Sequence, residues 1–205
     1  MRHFRLILLI SLLATAFSQQ QNSAPAKAQD SGGAILYSQG GAFLVAGPKG
    51  WIMDTKVGQQ LGTCCVYYPQ GSTWDDAATI LYPSIVTKGP GQRTIDEFMA
   101  SDLDDFRGHN PGMSFEEGSD LSLKNGRLAK IRYFYKVNHG SSEGVAYIDE
   151  DKIIALVVVS SRSKKGLNEN LPQFRSALQT YAYMDVRFSK GADPGNKQAF
   201  QLPKD

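Results

Sequence analysis

The sequence predicts an α+β fold, an antiparallel β-sheet sandwiched by helices (α/β/α). Three observations predict it. The first is the stretch from Glu143 to Ser161. It holds two apolar, β-branched and aromatic runs of strand length, Val145–Ile148 and Ile153–Val159, with polar Asp149–Lys152 between them. That reads as an antiparallel hairpin. Ile153–Val159 has no polar residue on either face, as a strand covered on both sides would. The second is order: strand-like segments come in runs, with two helical patterns among them, which is the α+β arrangement. The third is Leu128–Val137, which alternates. Ala129, Ile131, Tyr133, Tyr135 and Val137 fall on one side, and Lys130, Arg132 and Lys136 on the other, as in a half-solvated antiparallel strand.

The chain in order supplies the remaining elements. Gln29–Gly41 is small and polar and reads as a flexible leader. Ala42–Ala46 is a short strand, followed by a turn at Gly47–Gly50 and renewed apolar character at Trp51–Met53. Asp54–Gly62 reads as a polar loop. Thr63–Tyr68 is a strand ended by Pro69, which cannot donate to a ladder. Ala77–Val86 is a third strand, and Pro83 predicts an edge or a bulge there. Thr94 with Glu97 forms a capping box. Behind it Ile95, Phe98, Met99, Leu103 and Phe106 share one helical face, and Gly108 and Pro111 mark the stop. Met113–Lys124 holds one or two strands. Asn125-Gly126 predicts a two-residue type I′ hairpin turn. The last helix carries Leu167, Leu171, Phe174, Leu178 and Tyr181 on one face. It is expected to start near Asn168 or Asn170, with Pro172 in its first turn, and Tyr183–Phe188 adds a short extended piece.

The ends imply export. Arg2, His3 and Arg5 precede an apolar run at Leu6–Leu13, which is the plan of a secretory signal peptide. Both Ala14-Thr15-Ala16 and Ala26-Lys27-Ala28 fit the small-x-small cleavage rule, and the second is preferred. The expected organisation is a signal peptide at 1–28, the leader at 29–41, one domain at 42–188, and a disordered tail at 189–205. Without 1–28 the 22 basic residues become 19 against 20 acidic ones, a net charge of −1. Bulk charge therefore argues for neither nucleic acid nor an anionic membrane surface as partner.

Few residues carry the patterns of catalysis. Gly140-Ser141-Ser142-Glu143-Gly144 matches G-x-S-x-G, but it lies between two strands and no His follows His139, so a hairpin loop is expected rather than a nucleophile elbow. His109 and His139 lack a ligand at metal spacing. Cys64 and Cys65 are adjacent. In a strand they would point to opposite faces, giving one buried thiol and one exposed or modified thiol; a redox switch or an intermolecular bridge is the alternative. Arg162, Lys164 and Lys165 lie close to the start of the last helix, where cations and backbone amides suit an anion; solvation of a connecting loop is the plainer reading. Trp51, Tyr67, Tyr68, Trp74 and Tyr82 offer packing or a protein-binding patch.

The layout resembles the PsbP-like family, extrinsic proteins of the photosynthetic oxygen-evolving complex and their exported bacterial relatives of the DcrB type. The resemblance rests on the opening strand into Gly50-Trp51, the strand pair around Cys64–Tyr68 and Ile80–Val86, and Thr94-Ile95-Asp96-Glu97-Phe98 at the middle helix. The Asn125-Gly126 hairpin, the Ala146–Ser161 hairpin and the closing helix complete it. It implies an α/β/α sandwich and a non-enzymatic binding or assembly role without a cofactor. The partner would be an envelope protein; a small apolar or amphipathic ligand, carried between sheet and helix, is the alternative.

Overall fold

The computed structural model describes residues 32–89 and 94–185. The expected signal peptide with its candidate cleavage sites, and the 189–205 segment expected to be a tail, lie outside the described residues. The strands are β1 (Gly33–Ser38), β2 (Gly41–Ala46), β3 (Trp51–Asp54), β4 (Val66–Pro69), β5 (Thr79–Thr87), β6 (Ser114–Glu117), β7 (Leu121–Ser122), β8 (Leu128–Val137), β9 (Ser141–Asp149), β10 (Ile153–Ser161) and β11 (Ala182–Met184). The helices are α1 (Thr55–Gln60), α2 (Ile95–His109) and α3 (Lys164–Leu178).

All strand pairs are antiparallel, in two sheets. The larger runs β3-β4-β5-β10-β9-β8-β6, with β7 beside β8; the smaller runs β1-β2-β11. The apolar run Ile153–Val159 is β10, at the centre of the larger sheet between β5 and β9. Its alternate residues feed two cores. Ile153, Ala155, Val157 and Val159 pack with Phe43, Leu167, Phe174 and Leu178, under α3 and the small sheet. Ile154 and Val158 pack with Phe98, Met99, Leu103 and Phe134, under α2. The sheet is thus covered on both faces, and a strand with no polar side is the sequence that this position demands.

Beside α2 on the same face lies a third cluster. Val66, Tyr68 and Ala77 are buried there, with Val57 and Leu61 of α1 and Trp74 of the 72–78 loop packed against them. Fully burying one such side chain is worth about 1.5–3 kcal/mol. The helix α2 forms as its sequence asks: Thr94 Oγ1 accepts from the Glu97 amide, and the Glu97 side chain accepts from the Thr94 amide.

Several local expectations are corrected. Gly33–Ser38 is strand β1, paired along its length with β2, and not part of a flexible leader. Asp54–Gly62 is not a loop: Asp54 Oδ1 accepts from the Val57 amide and caps α1. Pro83 is not at an edge, since β5 lies between β4 and β10. Proline is accepted there because β4 meets β5 only at Tyr67–Leu81, so the ladder has ended by Pro83, whose carbonyl instead accepts from the Thr63 hydroxyl at 2.6 Å. Asn125-Gly126 is not a type I′ turn. Only Gly126 has positive φ, at 80°, its amide donates to the Leu123 carbonyl, and the Leu123 amide donates to the Arg127 carbonyl, so the connection is three residues, Lys124-Asn125-Gly126, and not two. Lys136, with φ of 59°, is a bulge that moves Val137 out of the Ala129–Tyr135 row and into the core under α2. Helix α3 starts earlier than expected, capped by Ser163, which accepts from the Gly166 amide. Pro172 therefore lies inside the helix and not in its first turn.

Candidate functional site

The three cations near the last helix do not converge. Arg162 donates from Nη2 to the Asp75 carbonyl at 2.6 Å, away from the helix start. Lys164 reaches Glu116 at 3.1 Å and lies over the Tyr135 ring. Lys165 lies 3.8 Å from Glu169, one turn along α3. Ser142 is buried within β9, opposite Ser161 of β10. His109 and His139 are exposed, and the His109 ring lies against the Asp105 carbonyl. Of the five aromatics in the first half, Trp51, Tyr67 and Tyr68 are buried, whereas Trp74 and Tyr82 keep part of their surface.

Tyr82 marks the most unusual part of the sheet. Strand β5 is interior, yet its two faces differ. Thr79, Leu81 and Pro83 are buried on the α3 side, where only the end of the strand, at Ile85, is half-buried, while Ile80, Tyr82, Ser84 and Val86, on the α2 side, are all half-buried. Leu156, opposite Ser84 on β10, is half-buried too. Helix α2 covers β8, β9 and part of β10; α1 and the 72–78 loop cover β4. The strip between them belongs to both clusters, and Tyr82 packs against each. Alternation along a buried strand hides this strip from the sequence, because Ile80, Tyr82 and Val86 read as core.

A polar group closes one end of the strip. Glu143, 5% exposed, faces α2 from β9. Its Oε1 accepts from Asn138 Nδ2 and from Ser160 Oγ, both at 3.2 Å. Burial pushes this carboxyl up; the two hydrogen bonds pull against that, and the charge of Asp102 on α2 adds to it. Asp102 accepts from the Tyr147 hydroxyl at 2.5 Å. The Tyr82 hydroxyl is also raised, by burial first and then by Glu143 and Asp102. Glu143 and Asp102 thus feel each other's charge at the end of the strip, and the Tyr82 hydroxyl feels both. Such a set can accept hydrogen bonds from a ligand, and a carboxyl that holds its proton can donate one. Among the described residues no group of three or more His, Cys, Asp or Glu could hold a metal ion.

The other buried acid is structural. Glu150 forms an ion pair with Arg127 at 2.9 Å and accepts from the Tyr181 hydroxyl at 3.1 Å, tying the β9–β10 turn to the β7–β8 connection and the end of α3.

The thiols also depart from expectation. Cys64 lies in a bend, and β4 begins only at Val66, so the alternation of a strand does not apply. Both side chains turn the same way, with 3.3 Å between the sulfur atoms.

Fold and site together define an α+β sandwich with a half-covered strip and a buried acid at its end. No family model matches the chain, and no curated protein matches it. Among solved structures, it is similar to the cyanobacterial PsbP (CyanoP) of Synechocystis sp. PCC 6803, at 11% identity over 78% of this chain and 98% of that one, with a TM-score of 0.43. It is also similar to Mog1p, a Ran-binding protein of Saccharomyces cerevisiae, at 13% identity over 74% and 95%, with a TM-score of 0.43. A Pseudomonas aeruginosa protein of unknown function shares 14% identity over 77% and 86%, with a TM-score of 0.37.

Proposed function

We propose that the protein is an exported, non-catalytic binding or assembly module of the cell envelope, and that it docks an apolar segment of a partner protein along the β5 strip. One observation carries this reading: interior strand β5 buries Thr79, Leu81 and Pro83 on one face, but on the other leaves Ile80, Tyr82 and Val86 half-buried, beside Trp74 and in reach of a partner. The buried position of Ser142 and the exposure of His109 and His139 support a non-catalytic role. No helix among the described residues is long and apolar enough to cross a membrane. The Leu6–Leu13 run behind Arg2 and Arg5 supports export.

The polar end of the strip favours a second reading, a carrier of a small amphipathic ligand. Glu143, Asp102 and Tyr82 would hold its polar head, and the strip its apolar body. One experiment separates the two. A photoreactive residue is placed at Ser84, and as a control at exposed Asp151, and the protein is irradiated in its own host. Protein adducts specific to position 84 support the assembly module, and a small-molecule adduct there supports the carrier. Equal labelling at 84 and 151 refutes the strip as a site. N-terminal sequencing of the same material tests export: a mature chain starting after Ala28 supports it, and a chain retaining Met1 inside the cell overturns it.

A further inference from the structure

Cys64 and Cys65 sit apart from the strip, on the face of the larger sheet that carries the core under α3 and the small sheet. We propose that they are a dithiol that oxidises reversibly to a vicinal disulfide, Cys64 attacking and Cys65 resolving. Geometry carries the argument. The bend at Cys64, held by the Thr63 hydroxyl on the Pro83 carbonyl, brings the two sulfur atoms to 3.3 Å. A disulfide needs about 2.0 Å, so the closing movement is small. The two thiols are unequal in access: Cys64 is half-buried and Cys65 is fully buried. Their chemistry is split in the same sense. The hydrogen bond between the two thiols holds Cys64 below its usual range. The same bond, followed by burial, pushes Cys65 up.

The oxidant is a small disulfide of the glutathione class. The Cys64 thiolate attacks one sulfur of oxidised glutathione, a mixed disulfide forms, and one glutathione thiolate leaves. Cys65, its proton passing to that leaving thiolate, then attacks the Cys64 sulfur and expels the second glutathione. Two thiols are oxidised, and one glutathione disulfide is reduced to two thiols. The product is strained. Adjacent Cα atoms are about 3.8 Å apart across a trans peptide, below the roughly 4.4–6.8 Å that relaxed disulfides span. Strain makes the bond easily reduced, which suits a switch and not a staple. The movement has a receiver. Gly58 of α1 packs so closely on the Cys65 backbone that a Cβ there would lie 2.3 Å from Cys65 Cα. Turning the 64–65 peptide therefore shifts α1, one wall of the strip.

The test uses the full, folded, reduced chain and oxidised glutathione under native conditions, followed by acid quench, alkylation and intact mass. The expected product is a monomer lighter by two hydrogens, with neither cysteine alkylated and no glutathione retained, and it returns to the starting mass with reduced glutathione. Cys65→Ser is expected to trap one glutathione on Cys64. Cys64→Ser is expected to react at least about tenfold more slowly, because its remaining thiol is fully buried. Wild type that keeps two alkylatable thiols, or that forms disulfide-linked dimers, overturns the proposal without any substitution. Equal glutathionylation of the two single variants, each checked as folded by circular dichroism, overturns the assigned roles.

Discussion

Replacing Gly58 by alanine sets two ordinary effects against each other, and the structure says which wins. Gly58 is the fourth residue of α1, a helix of six residues. Helix propensity alone predicts a gain, since alanine is favoured over glycine in a helix interior by about 1 kcal/mol. Packing predicts the reverse. The new methyl would stand 2.3 Å from Cys65 Cα, 2.5 Å from its amide nitrogen and 2.8 Å from its carbonyl carbon. All three are backbone atoms, so no side-chain rotation relieves the contact. Reaching an ordinary separation of about 3.4 Å requires α1 and the 64–65 segment to part by roughly 1 Å. That separation pulls Val57 and Leu61 from the cluster around Val66, Tyr68 and Ala77. Overpacking of this kind costs about 1–3 kcal/mol, more where backbone must move. Taken at its upper end, because backbone and not a side chain must move, the cost of about 3 kcal/mol less the propensity gain of about 1 kcal/mol leaves an expected net loss on the order of 2 kcal/mol. Urea unfolding followed by tryptophan fluorescence measures it, and alkylation of Cys65 in the folded variant reports the opened contact. A Gly58→Ala chain as stable as wild type or more so, with Cys65 still protected, would refute the reasoning.

Three further outcomes follow from the same kind of argument. Phe134 is fully buried and stacks on Phe106 with ring centroids 4.1 Å apart; Phe134→Ala is expected to cost about 3–5 kcal/mol in chemical denaturation, and a loss under about 1 kcal/mol would show that α2 does not seal this core. Thr94→Ala removes the capping box of α2 and should cost about 1 kcal/mol, with a matching loss of amide protection in the first turn of the helix. Glu143→Gln is a test of sign. The folded chain holds the Glu143 proton more tightly than the unfolded chain, whose carboxyl titrates near 4.5. Stability from this group is complete below that value and is lost as pH rises through the folded one. Wild type should therefore lose stability relative to Glu143→Gln between about pH 4 and about pH 7, while the likewise raised Glu150 is common to both chains and drops out of the difference. Paired urea titrations at the two pH values decide it, and a difference independent of pH contradicts the burial argument.

The sequence made the centre of the fold legible where one interaction governs a residue. Ile153–Val159 is apolar throughout because both faces of β10 are covered, and the Thr94–Glu97 capping box is complete within four residues. What misled was local chemistry whose meaning depends on a distant neighbour. Pro83 signals an edge in any strand read alone. It is tolerated in an interior strand because β4 bends away after meeting β5 at a single residue pair, and Thr63 takes the freed carbonyl. Pro172 signals a helix start, yet it lies within α3 because Ser163 caps the helix earlier. Gly33–Ser38 reads as a leader because Gly and Ser residues surround its short apolar run Ile35-Leu36-Tyr37, and becomes a strand because Leu36 and Ala34 find Phe43 and Val45 in the core.

The candidate sites were less legible for the same reason. Arg162, Lys164 and Lys165 form a compact cationic run in sequence, but backbone direction at a helix start sends them to three different acceptors, Asp75, Glu116 and Glu169. Charge proximity along a chain says little about proximity of charge in space. Cys64 and Cys65 give the converse case. Neighbours in an extended strand diverge, and a single bend at Cys64 reverses that rule and sets the sulfur atoms 3.3 Å apart. That bend is stabilised from outside, by Pro83 and by the close approach of Gly58, neither of which is adjacent in sequence. The departure of β4 from the ladder has two effects. It makes room for a proline in the middle of the sheet, and it creates the turn that pairs the thiols. A substitution that restored the ladder, Pro83→Val, should test that link: if the β4–β5 pairing extends past Tyr67–Leu81, the cysteines separate to opposite faces, and the two-hydrogen mass loss with oxidised glutathione disappears. Retention of that mass loss in a folded Pro83→Val chain whose β4–β5 amide protection has extended would break the connection between the proline and the dithiol.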